Sequence, residues 1–153
     1  MEKIDSLDRQ ILEIVMNNAR IPSKDVAIAC GVSRAAVHQR IQRMIDLNVI
    51  TGSGYYVNPH VLGLNNCTFI GITLERGALY RKVAAELEKI PEITECHFVT
   101  GPYTMLIKLF ARDNEHLMEL LNDRIQMIPG VTHTETLISL DHSIHRKVPI
   151  YPE

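Results

Sequence analysis

Arg34, Arg40 and Arg43 lie within ten residues of one another, and no carboxylate intervenes between Asp25 and Asp46. The whole chain carries a formal net charge of −2, so this short basic run stands apart. Guanidinium groups neutralise phosphates without regard to base sequence, whereas side chains such as His38, Gln39 and Gln42 can hydrogen-bond base edges. Ser33 is a helix N-cap residue type. The N–H groups of the turn it opens favour a phosphate, and Ala35 and Ala36 permit close approach. The candidate contacts to double-stranded DNA are therefore Ser33, Arg34, Ala35, Ala36, His38, Gln39, Arg40, Gln42 and Arg43. Arg40 and Arg43 are expected as the flanking phosphate cations. Arg34 projects near the inward stripe of a helical wheel, but a long side chain in a first turn can reach outward.

The other reactive residue types form no comparable set. Cys30, Cys67 and Cys96 stand far apart among apolar neighbours, the pattern of reduced, buried thiols. Seven histidines are scattered, and the nearest pair, His142 and His145, has no thiol beside it. A structural zinc needs four ligands in tight pairs, so no metal is expected, and no cofactor. Neither a Gly-x-x-x-x-Gly-Lys phosphate loop nor a Gly-x-Ser-x-Gly elbow occurs. The reading is of a protein that is not an enzyme. No apolar run approaches the ~20 residues of a membrane span. Met1-Glu2-Lys3-Ile4-Asp5 carries acids where a signal peptide has a cationic and then apolar run. The expected location is the cytoplasm, on the nucleoid.

The elements that must position the basic run follow from periodicity. With 153 residues and 46 % hydrophobic content, the chain can bury one ordinary core or two small ones. Residues 1–60 hold seven Lys/Arg against six Asp/Glu, and residues 61–153 nine against twelve. The first half reads helical. Asp5 caps a helix with Asp8 as a weak capping-box partner, and Leu7, Ile11, Ile14 and Val15 form its apolar stripe. Ser23 caps a second helix with Val26, Ala27 and Cys30 inward, ended by Gly31. Ser33 caps a third with Val37, Ile41 and Met44 inward and Ile45 beside them. The spacing of Val26, Ala27, Gly31, Val32 and Val37 is that of a helix-turn-helix, whose second helix enters the major groove. Val49-Ile50-Thr51 and Tyr55-Tyr56-Val57 flank Gly52-Ser53-Gly54 as a small β-hairpin. Asn58-Pro59 then opens a linker.

The second half alternates strand and helix. Strands are predicted over 68–74, 93–100, 103–110 and 132–140, with helices over 79–90 and 116–128. The order is β-α-β-β-α-β, a ferredoxin-like plan. Ile90-Pro91-Glu92-Ile93-Thr94 and Ile128-Pro129-Gly130-Val131-Thr132 both leave a helix and enter a strand, which supports two α-β units built alike. In the strand from Tyr103, Met105, Ile107 and Leu109 face one side and Leu106 and Phe110 the other. Two helices cover only one face, so a second copy of the chain is expected on the bare one. The fold class is thus α+β. Its parts are a winged helix-turn-helix domain at 1–57, a linker at 58–66 and a ferredoxin-like domain at 67–153.

Leu7-Asp8-Arg9, Ile11-Leu12, Asn18-Ala19-Arg20, Gly31-Val32-Ser33 and Val49-Ile50-Thr51-Gly52 resemble the N-terminal domain of the leucine-responsive/asparagine regulator (Lrp/AsnC) family. Val99-Thr100-Gly101, Leu106-Ile107-Lys108 and Thr134-Glu135-Thr136 resemble its C-terminal ligand-sensing (RAM) domain. The AsnC branch is nearer, because Thr104 stands where many members have aspartate. The resemblance implies a transcription regulator that binds DNA as dimers and often assembles into octamers of four dimers. It also implies a small effector, commonly an amino acid, bound between C-terminal domains. Two departures are Arg34, where proline often follows the serine cap, and Pro102, which removes a backbone donor.

An amino-acid effector needs donors for its carboxylate and acceptors for its ammonium. Gly101 leaves its loop open to approach. Tyr103, Thr104, Thr134 and Thr136 offer hydroxyls, and Glu135 an acceptor. A neutral polar or apolar amino acid is expected over a basic one, because Thr104 replaces a carboxylate. A plain hairpin turn with ordinary strand threonines is the competing view of these residues. Two further readings stay open. One is a decarboxylase of tetrapyrrole side chains recruiting His97 or His133, since sirohaem decarboxylases resemble this two-domain arrangement. The other is a stand-alone amino-acid-binding oligomer.

Overall fold

The computed structural model describes residues 4–151. The chain divides into two compact units, one running to Tyr56 and resuming at Ile144, the other spanning Val57–Ser143. Among the described residues no helix is long and apolar enough to cross a membrane.

The first unit contains α1 (Ser6–Asn17), α2 (Ser23–Cys30) and α3 (Arg34–Asp46). Asp5 caps α1 in a reciprocal capping box with Asp8: the Asp8 N–H donates to Asp5 Oδ1 at 2.9 Å, and the Asp5 N–H to Asp8 Oδ2 at 3.0 Å. Ser23, expected as a cap, is instead the first residue of α2. Pro22 holds the cap position, its fixed φ of −59° suiting a helix start and its carbonyl accepting from Asp25 and Val26. Gly31 ends α2 at φ +67°, and Ser33 Oγ caps α3 by accepting from the Ala36 N–H at 3.1 Å. Ile11, Leu12, Val26, Ala27, Val37 and Met44 form the buried core, with Ile41 half-buried against it. Ile45, placed beside the inner stripe by the sequence, is exposed.

Two expectations for this unit are corrected. The small hairpin does not form: no strand is assigned between Val49 and Val57. An isolated hairpin is marginal in water; Tyr55, Tyr56 and Val57 remain exposed, and Tyr55 accepts a hydrogen bond from Arg20 at 2.5 Å instead. The C-terminal residues, assigned by the sequence to the second domain, pack with the first unit. Ile150 joins the core around α1, and Arg9 Nη1 donates to the Tyr151 carbonyl at 2.9 Å.

The second unit opens with a 3₁₀ turn at Pro59–Leu62, inside the segment read as linker, capped by Asn58 and closed by Gly63. Strand β1 (Asn66–Leu74) leads through a 3₁₀ turn into α4 (Tyr80–Leu87), then β2 (Ile93–Phe98) and β3 (Met105–Ala111). Next come α5 (Asn114–Glu119), which continues as a π-helical segment over Leu120–Ile125, and β4 (Val131–Ile138). The sheet is antiparallel with order β2-β3-β1-β4. Both Ile-Pro echoes lead from helix into edge strand, β2 and β4. Ile70, Ile72, Leu74, Met105, Ile107 and Leu109 pack with Val83 and Leu87 of α4, Leu117 of α5 and Leu120 of the π-helical segment in one buried core.

The opposite sheet face follows from register. Cys67 pairs with Phe110, Phe69 with Lys108 and Leu137, and Gly71 with Leu106 and Glu135, so these side chains share the face without helices. Lys108 interrupts its apolar character. Its ammonium lies 5.9 and 5.6 Å from the Phe69 and Phe110 ring centroids and 3.3 Å from Glu95 Oε1.

Candidate nucleic-acid interface and effector site

Helix α3 presents two differently used faces. Arg34, Ala35, His38, Gln39 and Gln42 are exposed together with the Ser33 cap, and Ala36 is half-buried. Gln42 Nε2 donates to Asp46 Oδ1 at 2.9 Å, one helical turn on. Among the described residues Arg34 has no ion-pair partner, and the residue is exposed.

Arg40 and Arg43, expected as outward phosphate cations, turn toward α1. Arg40 Nη1 bonds Asp5 Oδ2 and Asp8 Oδ1, the latter at 3.2 Å, and Arg43 Nη1 bonds Asp8 Oδ2 at 3.0 Å. Residues three apart share a helix face, and here that face meets the first turn of α1. The Asp8 side chain has no solvent exposure, while the two arginine side chains keep about a third of theirs. The bond from Arg40 holds the Asp5 carboxyl below the ordinary carboxylate range, and both aspartates raise Arg40. Beyond their capping role, Asp5 and Asp8 are thus the partners of the two arginines, which the sequence did not offer. The signal in the sequence is two acids three apart at the start of α1, matched by two arginines three apart on α3.

The expected effector residues divide by sheet face. Gly101 lies in the turn between β2 and β3 at φ +105°, with open space where a Cβ would stand. The Tyr103 ring lies on Gly71, where an added Cβ would meet Tyr103 Cδ1 at 2.5 Å. Glu135 pairs with Gly71 across the β1–β4 ladder, and the influence of its carboxylate raises the Tyr103 pKa. Gly71, Tyr103 and Glu135 are thus brought together, next to the Gly101 turn. Thr104 is engaged in closing the sheet: its N–H donates to the Ile72 carbonyl at 2.9 Å, and its Oγ1 accepts from the Leu74 N–H at 3.1 Å.

Thr134 and Thr136, expected beside Glu135, point to the other face. They pair with the buried Ile72 and Ile70, and Thr134 Oγ1 accepts from Gln126 Nε2 at 2.9 Å. Period-two alternation makes this unavoidable for residues flanking Glu135. Gly71 is the residue that the sequence did not offer, since its role appears only once β1 is paired with β4.

His97 and His133 occupy the edge strands β2 and β4, with β3 and β1 between them. At about 4.8 Å per strand that is roughly 14 Å, too far for the two to share one reacting centre. Among the described residues no group of three or more His, Cys, Asp or Glu is arranged to hold a metal. Cys30 and Cys67 are half-buried thiols, raised in pKa by burial. Cys96, expected buried, is exposed on the edge strand.

Comparison with known proteins bears on both units. Residues 67–149 match the Lrp/AsnC ligand binding domain, and residues 4–45 the AsnC-type helix-turn-helix domain. Regulatory protein AsnC of Escherichia coli (strain K12) is 39 % identical over 145 residues, 95 % of each chain. The solved structure of E. coli AsnC superposes with a TM-score of 0.91 over 96 % of this chain and 99 % of that one. HTH-type transcriptional regulator FL11 of Pyrococcus furiosus is 34 % identical, covering 97 % of this chain and 96 % of its own. A feast or famine regulatory protein from M. tuberculosis, solved in complex with L-methionine, is 25 % identical. It has a TM-score of 0.89 and covers 97 % of this chain and 99 % of its own. These relatives are named as regulators and not as enzymes.

Proposed function

Because this chain belongs to the Lrp/AsnC family and is a helix-turn-helix regulator of transcription, we propose that α3 reads duplex DNA through Ser33, Arg34, Ala35, Ala36, His38, Gln39 and Gln42. Arg40 and Arg43 act from behind, holding the helix. The observation that carries this assignment is the division of α3 between an outward polar face and an inward pair of arginines bonded to α1. Arg34 and the Ser33-capped first turn supply phosphate contact, and the amides of Gln39 and Gln42 suit base edges. The protein acts in the cytoplasm, on the nucleoid. Footprinting and selection from random duplexes test the assignment. Gln39→Ala is expected to relax preference at one base pair, a loss of about 1–3 kcal/mol there. An unaltered selected sequence overturns the base contact.

A second copy of the chain covers the open sheet face, forming a dimer whose two α3 helices meet successive major grooves ~34–36 Å apart. Four such dimers make the octamer that the family resemblance implies. The effector is an amino acid bound between second units. Its carboxylate lies at the Gly101 turn and its ammonium at Glu135, beside the Tyr103 ring. The L-methionine complex of the M. tuberculosis relative supports this class of ligand. With Thr104 uncharged and committed to the sheet, a neutral amino acid is favoured over a basic one. Calorimetry with individual amino acids is expected to give heat with a neutral one, and the heat is expected to vanish in Gly101→Val and Glu135→Gln. Binding of lysine or arginine alone, or heat unchanged in both variants, contradicts the proposed site.

A further inference from the structure

The Asp5–Asp8–Arg40–Arg43 cluster contains as many carboxylates as guanidiniums, and it joins the first turn of α1 to the middle of α3. Two geometric features distinguish it from a surface ion pair. Asp8 has no solvent exposure, and its two oxygens divide the load: Oδ1 takes Arg40, while Oδ2 takes Arg43 and the Asp5 N–H. Arginines three residues apart are separated by about 4.5 Å along the helix axis. One carboxylate gripping both therefore fixes the rotation and the axial slide of α3 together. Apolar contacts at Val37 and Met44 hold the helix against the core, but they are non-directional.

The same contacts change what DNA meets. Of the three arginines on α3, two are neutralised from within the unit, and the chain as a whole is acidic. Attraction to phosphate that ignores base sequence scales with the number of cations free to displace counterions.

We propose that Asp5 and Asp8 are specificity-determining residues of DNA binding: they set the orientation of α3 and withhold Arg40 and Arg43 from the phosphate backbone. The proposal rests on α3 being the DNA-reading helix. Removing either acid frees guanidinium charge beside the recognition face, so sequence-blind binding strengthens while the advantage of the operator shrinks.

Two variants of the full chain test this. Asp5→Ser retains an N-cap hydroxyl and removes Arg40's outer carboxylate. Asp8→Asn keeps the side-chain shape and removes the shared charge. Affinity for a selected operator and for a random duplex of equal length is measured across a series of salt concentrations. In Asp5→Ser the log–log salt slope on random duplex is expected to steepen by about 0.9, the contribution of one freed cation. The operator-to-random ratio falls several-fold. Asp8→Asn is expected to lower that ratio about tenfold or more. Unchanged slope and ratio overturn the proposal, as does a parallel loss of affinity for both duplexes, the signature of a purely structural role. If Asp8→Asn does not fold, the Asp5→Ser result decides. Arg34→Ala and Gln39→Ala serve as controls for the underlying assignment. If both leave operator binding intact, α3 is not the reading helix. If they weaken it while Asp5→Ser changes nothing, only the present inference falls.

Discussion

Tyr103 illustrates how little a residue type says before its neighbours are known. As a sequence letter it is one hydroxyl among several near a turn; in the fold its ring covers Gly71 and Glu135 raises its pKa. Glu135 favours the protonated phenol, so the folded pKa exceeds the unfolded one. Its contribution to stability is therefore fully present below the ordinary tyrosine range and lost as pH rises through the higher folded value. An ultraviolet titration is expected to show the Tyr103 phenol ionising above the ordinary tyrosine range, and Glu135→Gln should lower it. If Glu135→Gln leaves the curve unmoved, Glu135 does not act on the Tyr103 phenol. Caps and turns were legible at this scale because their chemistry is local: Ser33, Gly31 and the Asp5–Asp8 box needed only neighbouring residues. Thr134 and Thr136 flank Glu135 in sequence, yet alternation along β4 turns them to the other face. Arg40 and Arg43 were misread for a different reason. A wheel gives their direction, but the carboxylates they meet lie about thirty-five residues earlier in the chain.

Between elements, the strongest statement concerns α1 and α3. Asp8 is buried with two cationic donors, so deleting its carboxylate leaves two guanidiniums without their partner at a helix–helix contact. Asp8→Ala is expected to lower stability by about 3 kcal/mol, the low end for a broken buried pair because both arginines retain some solvent. Denaturant unfolding checks this, and a loss under about 1 kcal/mol would show the cluster to be a surface pair in effect. Helix and strand order in both units was legible from periodicity, because each element buries one face. The hairpin after α3 was not, since the aromatic and β-branched run Tyr55-Tyr56-Val57 suggests a strand but supplies nothing for it to pack on. The return of the C-terminal segment to α1 was equally hidden. A single anchoring isoleucine, Ile150, carries no period, and its partners are at the opposite end of the chain.

For the molecule as a whole, the open sheet face and the outward face of α3 are the two surfaces that ask for partners. Phe69, Leu106, Phe110 and Leu137 share the first, with Lys108 folded down over the rings. Phe110→Lys places a second cation beside Lys108 and removes an aromatic anchor. Sedimentation at fixed concentration is expected to show a shift from the native assembly toward smaller species, and an unchanged mass would place the interface elsewhere. The second surface carries the central claim, that α3 meets DNA with Arg34 while Arg40 is spent inside the protein. The salt dependence of operator affinity, measured side by side for Arg34→Ala and Arg40→Ala, tests it most directly. The log–log slope is expected to flatten by about 0.9 for Arg34→Ala and to stay at the native value for Arg40→Ala. A slope that flattens for Arg40→Ala and holds for Arg34→Ala would contradict it.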